Sequence, residues 1–575
     1  MASGFPPTGT SLSISTAGFR QGRVCLTMDF SGVGRRSWRL ALAAMSSIRS
    51  CARKRSRAGG AFAPWVAGLA LLLSILACTR ANVPASGAIG SGGIPSPTAA
   101  EITLPDPTPA NATPTIPAPT DTPFKPEPLA SPTFPPTPTS LATEEPEILV
   151  YQAQPGDTLH AVAIRFGVLP DDIDSPGPLP QARNLVDPGQ MLLIPRRLGD
   201  TGPAERLLPD SEMVFSPNAA EFNPEAFVQS QGGYLLRYQE IVHGKWRSGP
   251  EIVALVARNN SVNPRTLLAL LEYVAGWVTD PSVPEGDAFD YPMGKVDPQI
   301  PGLFRQLTWA ANELGNGYYG WRAGTITELH FRDGSRLRLA PELNAGTVAL
   351  QYFFSLNRPK DAWEQALATT GFLETYISFF GDPWAYAYPL FEPGVEQPEL
   401  ILPFLPGHIW SFTGGPHGAW ERESAWAALD FAPASSVTGC AVSEDWVLAA
   451  APGIVVRAEN GTVVLDLDGD GREHSGWALL YLHVAAEGRV QEGQLLAAGD
   501  RIGHPSCEGG IATGTHIHLA RKYNGEWILA DGPLPFNLEG WIAKAGSVPY
   551  QGALVRGDEQ VLACPCASQE TLISR

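Results

Sequence analysis

Long apolar runs, cysteine, positive charge and the H-E-x-x-H pairing are scarce or missing in this chain, and each lack excludes something. The one candidate apolar run, Ala61 to Ala77, is too short for a comfortable membrane-spanning helix, which needs about 20 residues. Without H-E-x-x-H, no glutamate is placed as a general base by that route. Basic residues number 40 against 58 acidic ones, a net charge of −18. The first 77 residues hold ten basic residues and one acidic, so the remainder carries roughly −27. A chain this acidic argues against nucleic acid as a partner and against charge-driven binding to anionic lipid. Aromatic residues are nearly absent from Thr79 to Pro146, where Pro, Thr, Ala and Ser dominate. Such a segment cannot bury enough surface to fold.

What is present describes a multidomain protein. A chain of 575 residues is too long for a single core, so three or four domains are expected. Ala61 to Ala77 follows Arg49, Arg53, Lys54, Arg55 and Arg57 and ends Leu73-Ser74-Ile75-Leu76-Ala77-Cys78. A basic stretch before an apolar one reads as a signal region over 1–77. Its end resembles a bacterial lipoprotein signal, which implies a lipidated Cys78 and an extracytoplasmic, membrane-anchored protein facing the cell wall. Residues 1–44 read as an overhang before a true start at Met45. Residues 79–147 are expected to be a disordered Pro/Thr-rich stalk with polyproline character. Cys25 and Cys51 fall in the removed part, and Cys440, Cys507, Cys564 and Cys566 remain in an oxidising compartment. Cys440 with Cys507 is a plausible disulfide, whereas Cys564-Pro565-Cys566 is read as too tight to close on itself.

Residues 148–197 form a compact unit. Tyr151-Gln152-Ala153-Gln154 reads as a strand, Pro155-Gly156 as a turn, Asp157 as the N-cap of a helix from Thr158 to Phe166 that Gly167 ends, and Met191 to Pro195 as a closing strand. The motifs Gln154-Pro155-Gly156-Asp157-Thr158-Leu159, Phe166-Gly167-Val168 and Asn184-Leu185-Val186-Asp187-Pro188-Gly189-Gln190 resemble a LysM domain. The resemblance implies a βααβ fold that binds N-acetylglucosamine-containing glycans, with Pro176-Gly177-Pro178 interrupting the second helix.

Residues 210–398 read as mostly α-helical, with helices around Ile252–Arg258, from Pro264, over Leu303–Leu314 and over Val348–Leu356. Pro264 to Glu272, followed by Gly276-Trp277, faintly resembles the catalytic-helix segment of lysozyme-like transglycosylases. Aligned that way, Val274 stands where the catalytic glutamate belongs. Valine cannot protonate a leaving oxygen, and Glu272 beside an apolar helix face reads as a solvated edge. A degenerate lysozyme-like or other helical spacer is expected, and its position before the next domain also suits an inhibitory segment.

From 400 to 566, with a tail at 567–575, short strand-like runs alternate with Gly/Asp turns, which argues for an antiparallel all-β domain. Seven of the ten histidines lie from His408 onward. In the strand-borne pair His516-Ile517-His518, residues i and i+2 project to one face. His417, Asp430 and His518 would supply two nitrogens and a carboxylate oxygen to a catalytic zinc, which uses three protein ligands. Gly414-Gly415-Pro416-His417, Ala428-Leu429-Asp430-Phe431, Tyr481-Leu482-His483, Cys507-Glu508-Gly509-Gly510 and Thr513-Gly514-Thr515-His516-Ile517-His518 resemble lysostaphin-type metallopeptidases, most closely the beta-lytic branch. The resemblance implies one zinc per chain held by His417, Asp430 and His518, with His483 and His516 catalytic, and peptidoglycan as substrate. A loop, Gly418 to Ala425, is expected at the rim of the site. Asp466, Asp468 and Asp470 have the alternation of a calcium loop without its glutamate, and a polar hairpin turn explains them as well. His408, His474 and His504 match no motif. The sequence thus reads as a monomeric zinc endopeptidase of the wall; the alternative is a catalytically silent wall-binding lipoprotein that regulates other hydrolases.

Overall fold

The computed structural model describes residues 148–420, 423–434, 439–566 and 568–575. Every described residue belongs to one compact unit, Phe134–Arg575. The expected signal region, Met45, Cys78 and the stalk lie outside the described residues.

The 148–197 unit is built on strand β1 (Ile148–Gln152), helix α1 (Leu159–Phe166) and strand β2 (Met191–Pro195). β1 and β2 pair antiparallel, with Tyr151 opposite Leu192. Thr158, not Asp157, caps α1 by accepting from the Ala161 amide. Asp157 instead forms a buried ion pair with Arg165 and accepts from the Tyr151 hydroxyl. Gly167 ends the helix at φ 68°, where a left-handed residue without Cβ costs least. The second helix of a βααβ unit is reduced to a 3-10 turn, Pro170–Asp172. Pro176 and Pro178 contribute no N–H to a helix there.

The middle domain is helical, as its periodicity predicts. Helix α2 (Gly249–Asn260) opens with a Ser248/Glu251 capping box. Helix α3 (Pro264–Ala275) starts after Asn263 and buries Leu267, Leu268, Leu270 and Leu271 completely. Helix α4 (Leu303–Ala323) runs 21 residues, about 31 Å, and packs against α5 (Ala345–Asn357). Gly317 permits that approach, since a Cβ there would stand 2.9 Å from both Ala349 Cα and Tyr352 Cβ. Glu272 is half-buried at the edge of α3. It accepts from the Val278 and Thr279 amides and the Thr279 hydroxyl, closing the turn after α3.

The C-terminal domain is antiparallel β. Strands β3 (Ile409–Trp420), β4 (Glu423–Pro433), β5 (Gly453–Glu459), β6 (Thr462–Asp466), β7 (Trp477–Leu482) and β8 (Ile517–Tyr523) form most of a nine-stranded sheet in the order β5-β6-β7-β8-β4-β3. The expected tail belongs to this sheet, because Leu572–Ser574 pairs with Ile409–Ser411 at its edge. Of the segment expected as a rim loop, Gly418 to Trp420 end β3 and Glu423 to Ala425 begin β4, with Gly418 paired to Trp426. Disulfides join Cys440 to Cys507 and Cys564 to Cys566. The second corrects the reading of Cys-Pro-Cys as too tight: its Cα atoms are 5.0 Å apart, within the range that a disulfide spans.

Strand alternation sends the two faces of this sheet to two cores. Leu429, Phe431, Val463, Leu465, Leu479, Tyr481 and Leu519 pack with the small sheet that includes Trp541–Ala545 and Gly552–Arg556. Ala428, Val464, Ala478, Leu480, Leu482 and Ala520 pack in the core of the middle domain. Polar contacts seal that second face. Arg322 of α4 lies 3.0 Å from Glu526 of the β domain and 3.0 Å from Asp210, and also donates to the Pro155 carbonyl of the first unit. Tyr318 donates to Glu526 at 2.6 Å. Truncating Arg322 leaves Glu526 buried without its cation, a loss worth about 3–5 kcal/mol. Arg322→Ala should therefore lower the urea midpoint of the full chain clearly. An unchanged midpoint would show that the interface does not depend on this residue.

Candidate metal centre

The register of the sheet assembles the site. His518 on β8 and Asp430 on β4 are direct cross-strand partners. Gly414 on β3 lies opposite Asp430, and bulges between Gly414 and Gly418 bring His417 back opposite Ala428. A Cβ on Gly414 would sit 2.6 Å from Asp430 Oδ2, so only glycine leaves room for the carboxylate. His417, Asp430 and His518 are buried, and their donor atoms lie within 4.8 Å of one another.

Hydrogen bonds fix which atoms face inward. His417 Nδ1 is 2.8 Å from the Gly415 carbonyl, and His518 Nε2 is 3.0 Å from the Ala419 carbonyl. A carbonyl only accepts, so those nitrogens carry the protons. The lone pairs left over are His417 Nε2 and His518 Nδ1, which stand 3.0 Å apart. They lie 3.3 and 3.2 Å from Asp430 Oδ1, which is buried without a hydrogen-bond partner. Three electron-rich atoms therefore converge with no proton among them, an arrangement that repels itself unless a cation fills it. Two imidazoles and one carboxylate suit zinc, and backbone carbonyls holding the outer nitrogens are the usual support for zinc-binding histidines.

His483 and His516 stand beside this set. Their ring centroids are 4.5 Å apart, and His516 Nε2 lies 3.8 Å from Asp430 Oδ2. His483 Nδ1 is held by the Glu508 carbonyl at 2.9 Å and His516 Nδ1 by the Gly514 carbonyl at 2.7 Å. Each ring thus keeps Nε2 free to take a proton. His483 sits at φ 71°, a left-handed conformation rare outside glycine.

Electrostatics follow the packing. Burial opposes ionisation of Asp430, but a proton carried by His417, then by His518 and His516, holds its carboxyl well below the usual range, so in the metal-free site a proton goes to the rings before the carboxylate. Burial pushes His483 down to about 3, helped by His516 and His518, and burial also lowers His518. Neutral imidazoles are the forms that bind metal or accept a proton.

The remaining histidines and acidic groups lie elsewhere. His408 pairs with Asp445 at the surface, and His504 bonds the Asp445 carbonyl beneath Trp446. Asp466, Asp468 and Asp470 do cluster. Asp466, however, spends its oxygens on the amides of Asp468, Gly469 and Gly471, so the hairpin turn accounts for it. Reading the sequence alone missed Tyr550, which stacks on His417 with centroids 4.1 Å apart; it follows the site strands in sequence with no motif around it.

Residues 206–393 match the family model described as LasA, N-terminal domain. Over 298 residues the chain is 27% identical to Protease LasA of Pseudomonas aeruginosa, in both strain UCBPP-PA14 and strain PAO1. That stretch is 47% of this chain and 65% of each relative, so the chain spans less than two thirds of the curated relatives' length. Among solved structures, the deep-sea M23 metalloprotease pseudoalterin is 22% identical, covering 29% of this chain and 96% of its own at a TM-score of 0.25. The catalytic domain of lysostaphin from Staphylococcus simulans is also 22% identical, covering 21% of this chain and 89% of its own at a TM-score of 0.16. The chain is thus similar to Protease LasA, and the middle domain, expected as a degenerate lysozyme-like or other helical spacer, matches the LasA N-terminal domain.

The geometry divides the five residues into two sets. His518→Ala should lose bound zinc, counted as metal per chain by mass spectrometry. His516→Ala should retain the metal while hydrolysis drops by about 10²–10⁴. Loss of zinc from His516→Ala would reject this division.

Proposed function

We propose that this chain is a zinc-dependent endopeptidase that hydrolyses peptide bonds of bacterial peptidoglycan. The observation that carries the reading is the convergence of His417 Nε2, His518 Nδ1 and Asp430 Oδ1 with no proton between them. Bound there, zinc would polarise the scissile carbonyl and bring the pKa of a bound water toward neutrality. The protein supplies the rest. Asp430 brings negative charge that offsets the cation. His483 and His516 both present Nε2 to the site: one neutral ring takes the proton of the attacking water there, and a ring protonated at Nε2 can donate a hydrogen bond to the developing oxyanion. The alternative, a silent regulator of other hydrolases, predicts a missing ligand, and the chain carries all five residues. The 148–197 unit would hold the protein on the glycan and a lipid on Cys78 would hold it at the membrane, raising local substrate concentration by tethering.

We further propose that the middle domain is an inhibitory cover. His518 and Asp430 project to the same sheet face as Ala428 and Ala520, the face that the middle domain packs against. Ala419, whose carbonyl holds His518, and Leu482, its cross-strand partner, are part of that shared core. A cavity of about 280 Å³ persists at the rim, between His243, Leu255 and Asn259 of the middle domain and Trp420, Asn460 and Gly510 of the β domain. Gly510 lies next to His483.

The test is digestion of purified peptidoglycan, with released muropeptides identified by mass. The intact chain is compared with one cut in the mostly exposed 392–399 connector and freed of its middle domain. Peptide-bond products, more abundant after removal, are expected. Products cut only in the glycan would overturn the peptidase reading, and equal activity in both forms would dispose of the cover.

A further inference from the structure

The contact between the middle and β domains contains a set of buried charged groups held by ion pairs rather than by well-directed hydrogen bonds. Glu473 stands just before β7 and lies 3.0 Å from Arg457 Nη2 on β5 and 3.6 Å from Lys522 Nζ on β8. Both Glu473 oxygens, Lys522 Nζ, Arg457 Nε and Nη2, and His474 Nδ1 are nevertheless buried without a well-directed hydrogen bond. Native interfaces satisfy such groups, so a cluster of exceptions in one place asks for a reason. From the middle domain, Asn259 of α2 accepts from Arg457 Nη1 at 2.8 Å, Arg258 pairs with Glu459, and Phe215 lies flat on His474, with ring centroids 3.7 Å apart and planes 13° from parallel.

We propose that His474, pressed against Phe215 over the Arg457–Glu473–Lys522 set, is an acid-sensitive latch that holds the middle domain on the β sheet. The proposal rests on the reading of that domain as a cover. The charged groups facing His474 are Glu473 on its own turn, Lys522 on β8, Arg457 on β5 and Arg258 on α2. The Arg258 charge is answered by Glu459. That leaves one carboxylate against two cations before His474 is charged at all. A proton on His474 adds a third positive charge to a site closed to water. The imidazole is only 12% exposed. Burial first, then Lys522, Arg457 and Arg258 against the pull of Glu473, push it down to about 3 from 6.5.

The sign is fixed by linkage. The closed form keeps His474 neutral. Once Phe215 withdraws, the ring regains water and takes a proton near its ordinary value. Acid therefore favours the open form. Through His474 the ratio of open to closed molecules rises by about tenfold for each pH unit below roughly 6.5. Glu473, which burial would raise but Arg457 and Lys522 hold down to about 2, steepens the rise below the ordinary carboxylate range, and Lys522, pushed down to about 8 by burial, adds a separate rise at alkaline pH.

The experiment is hydrogen exchange on the full chain from pH 8 to pH 5, with protection factors corrected for intrinsic rate, on α2 and on β8. Protection of both should fall together by about tenfold or more below pH 6.5. His474→Phe keeps the stacked ring without a titrating group and should flatten that dependence. Should it fail to fold, His474→Gln asks the same question. Protection independent of pH in the wild type, or an undiminished acid response in either variant, overturns the latch. If acid opens the interface through His474 but releases no hydrolysis, the latch stands and the reading of the middle domain as a cover for a hydrolytic site falls. The two failures are thus distinguishable.

Discussion

The pairing of His518 with Asp430 across β8 and β4 is the constraint on which the site depends. A slip of one residue in either strand would turn one member of that pair to the opposite face. The register is specified from both sides of the sheet. Leu429, Phe431 and Leu519 must enter the lower core, and Ala428 and Ala520 must lie under the middle domain. The apolar pattern that folds the domain therefore also aims the two inward donors. His417 comes from a third strand by a less regular route, through bulges that Gly414 and Gly415 allow.

Much of the site was legible because its chemistry is local in sequence. The i, i+2 spacing of His516 and His518 forces them to one face, and both stand close to Asp430, at 3.8 and 3.2 Å. Helices α2 to α5 announced themselves by period, and α3 also by Pro264 at its first position. What the sequence did not disclose depends on distant partners. Leu572–Ser574 has no strand signal beyond its pairing with Ile409–Ser411. Asp157 has the composition of an N-cap, but Arg165 and Tyr151 claim it. Glu272 has the pattern of a solvated edge, yet the turn that follows takes both its oxygens.

The covered face was the largest such gap. Alternation told which residues of β7 and β8 share a face, but both faces are apolar, so nothing in the strands says that helices rather than a second sheet lie above one of them. The clue is size. The face toward the small sheet carries Leu, Phe and Tyr, whereas the other carries Ala428, Ala478 and Ala520 beside Leu480 and Leu482. Small side chains there let a helix approach closely, and α4 answers with Gly315, where a Cβ would overlap the Ser424 hydroxyl.

That complementarity sets the energetics of any opening. Separating the domains would expose Val464, Leu480, Leu482 and Trp527 to water, each worth about 1.5–3 kcal/mol when buried. It would also break the pairing of Arg322 with Glu526. The Arg457–Glu473–Lys522 set works the other way, because hydration on opening offsets the cost of holding one carboxylate and two cations in a buried place. The interface therefore holds by apolar area and by Arg322, and it is weakened at one polar corner. Charging His474 acts at that corner, where little apolar contact has to be lost before water reaches the ring.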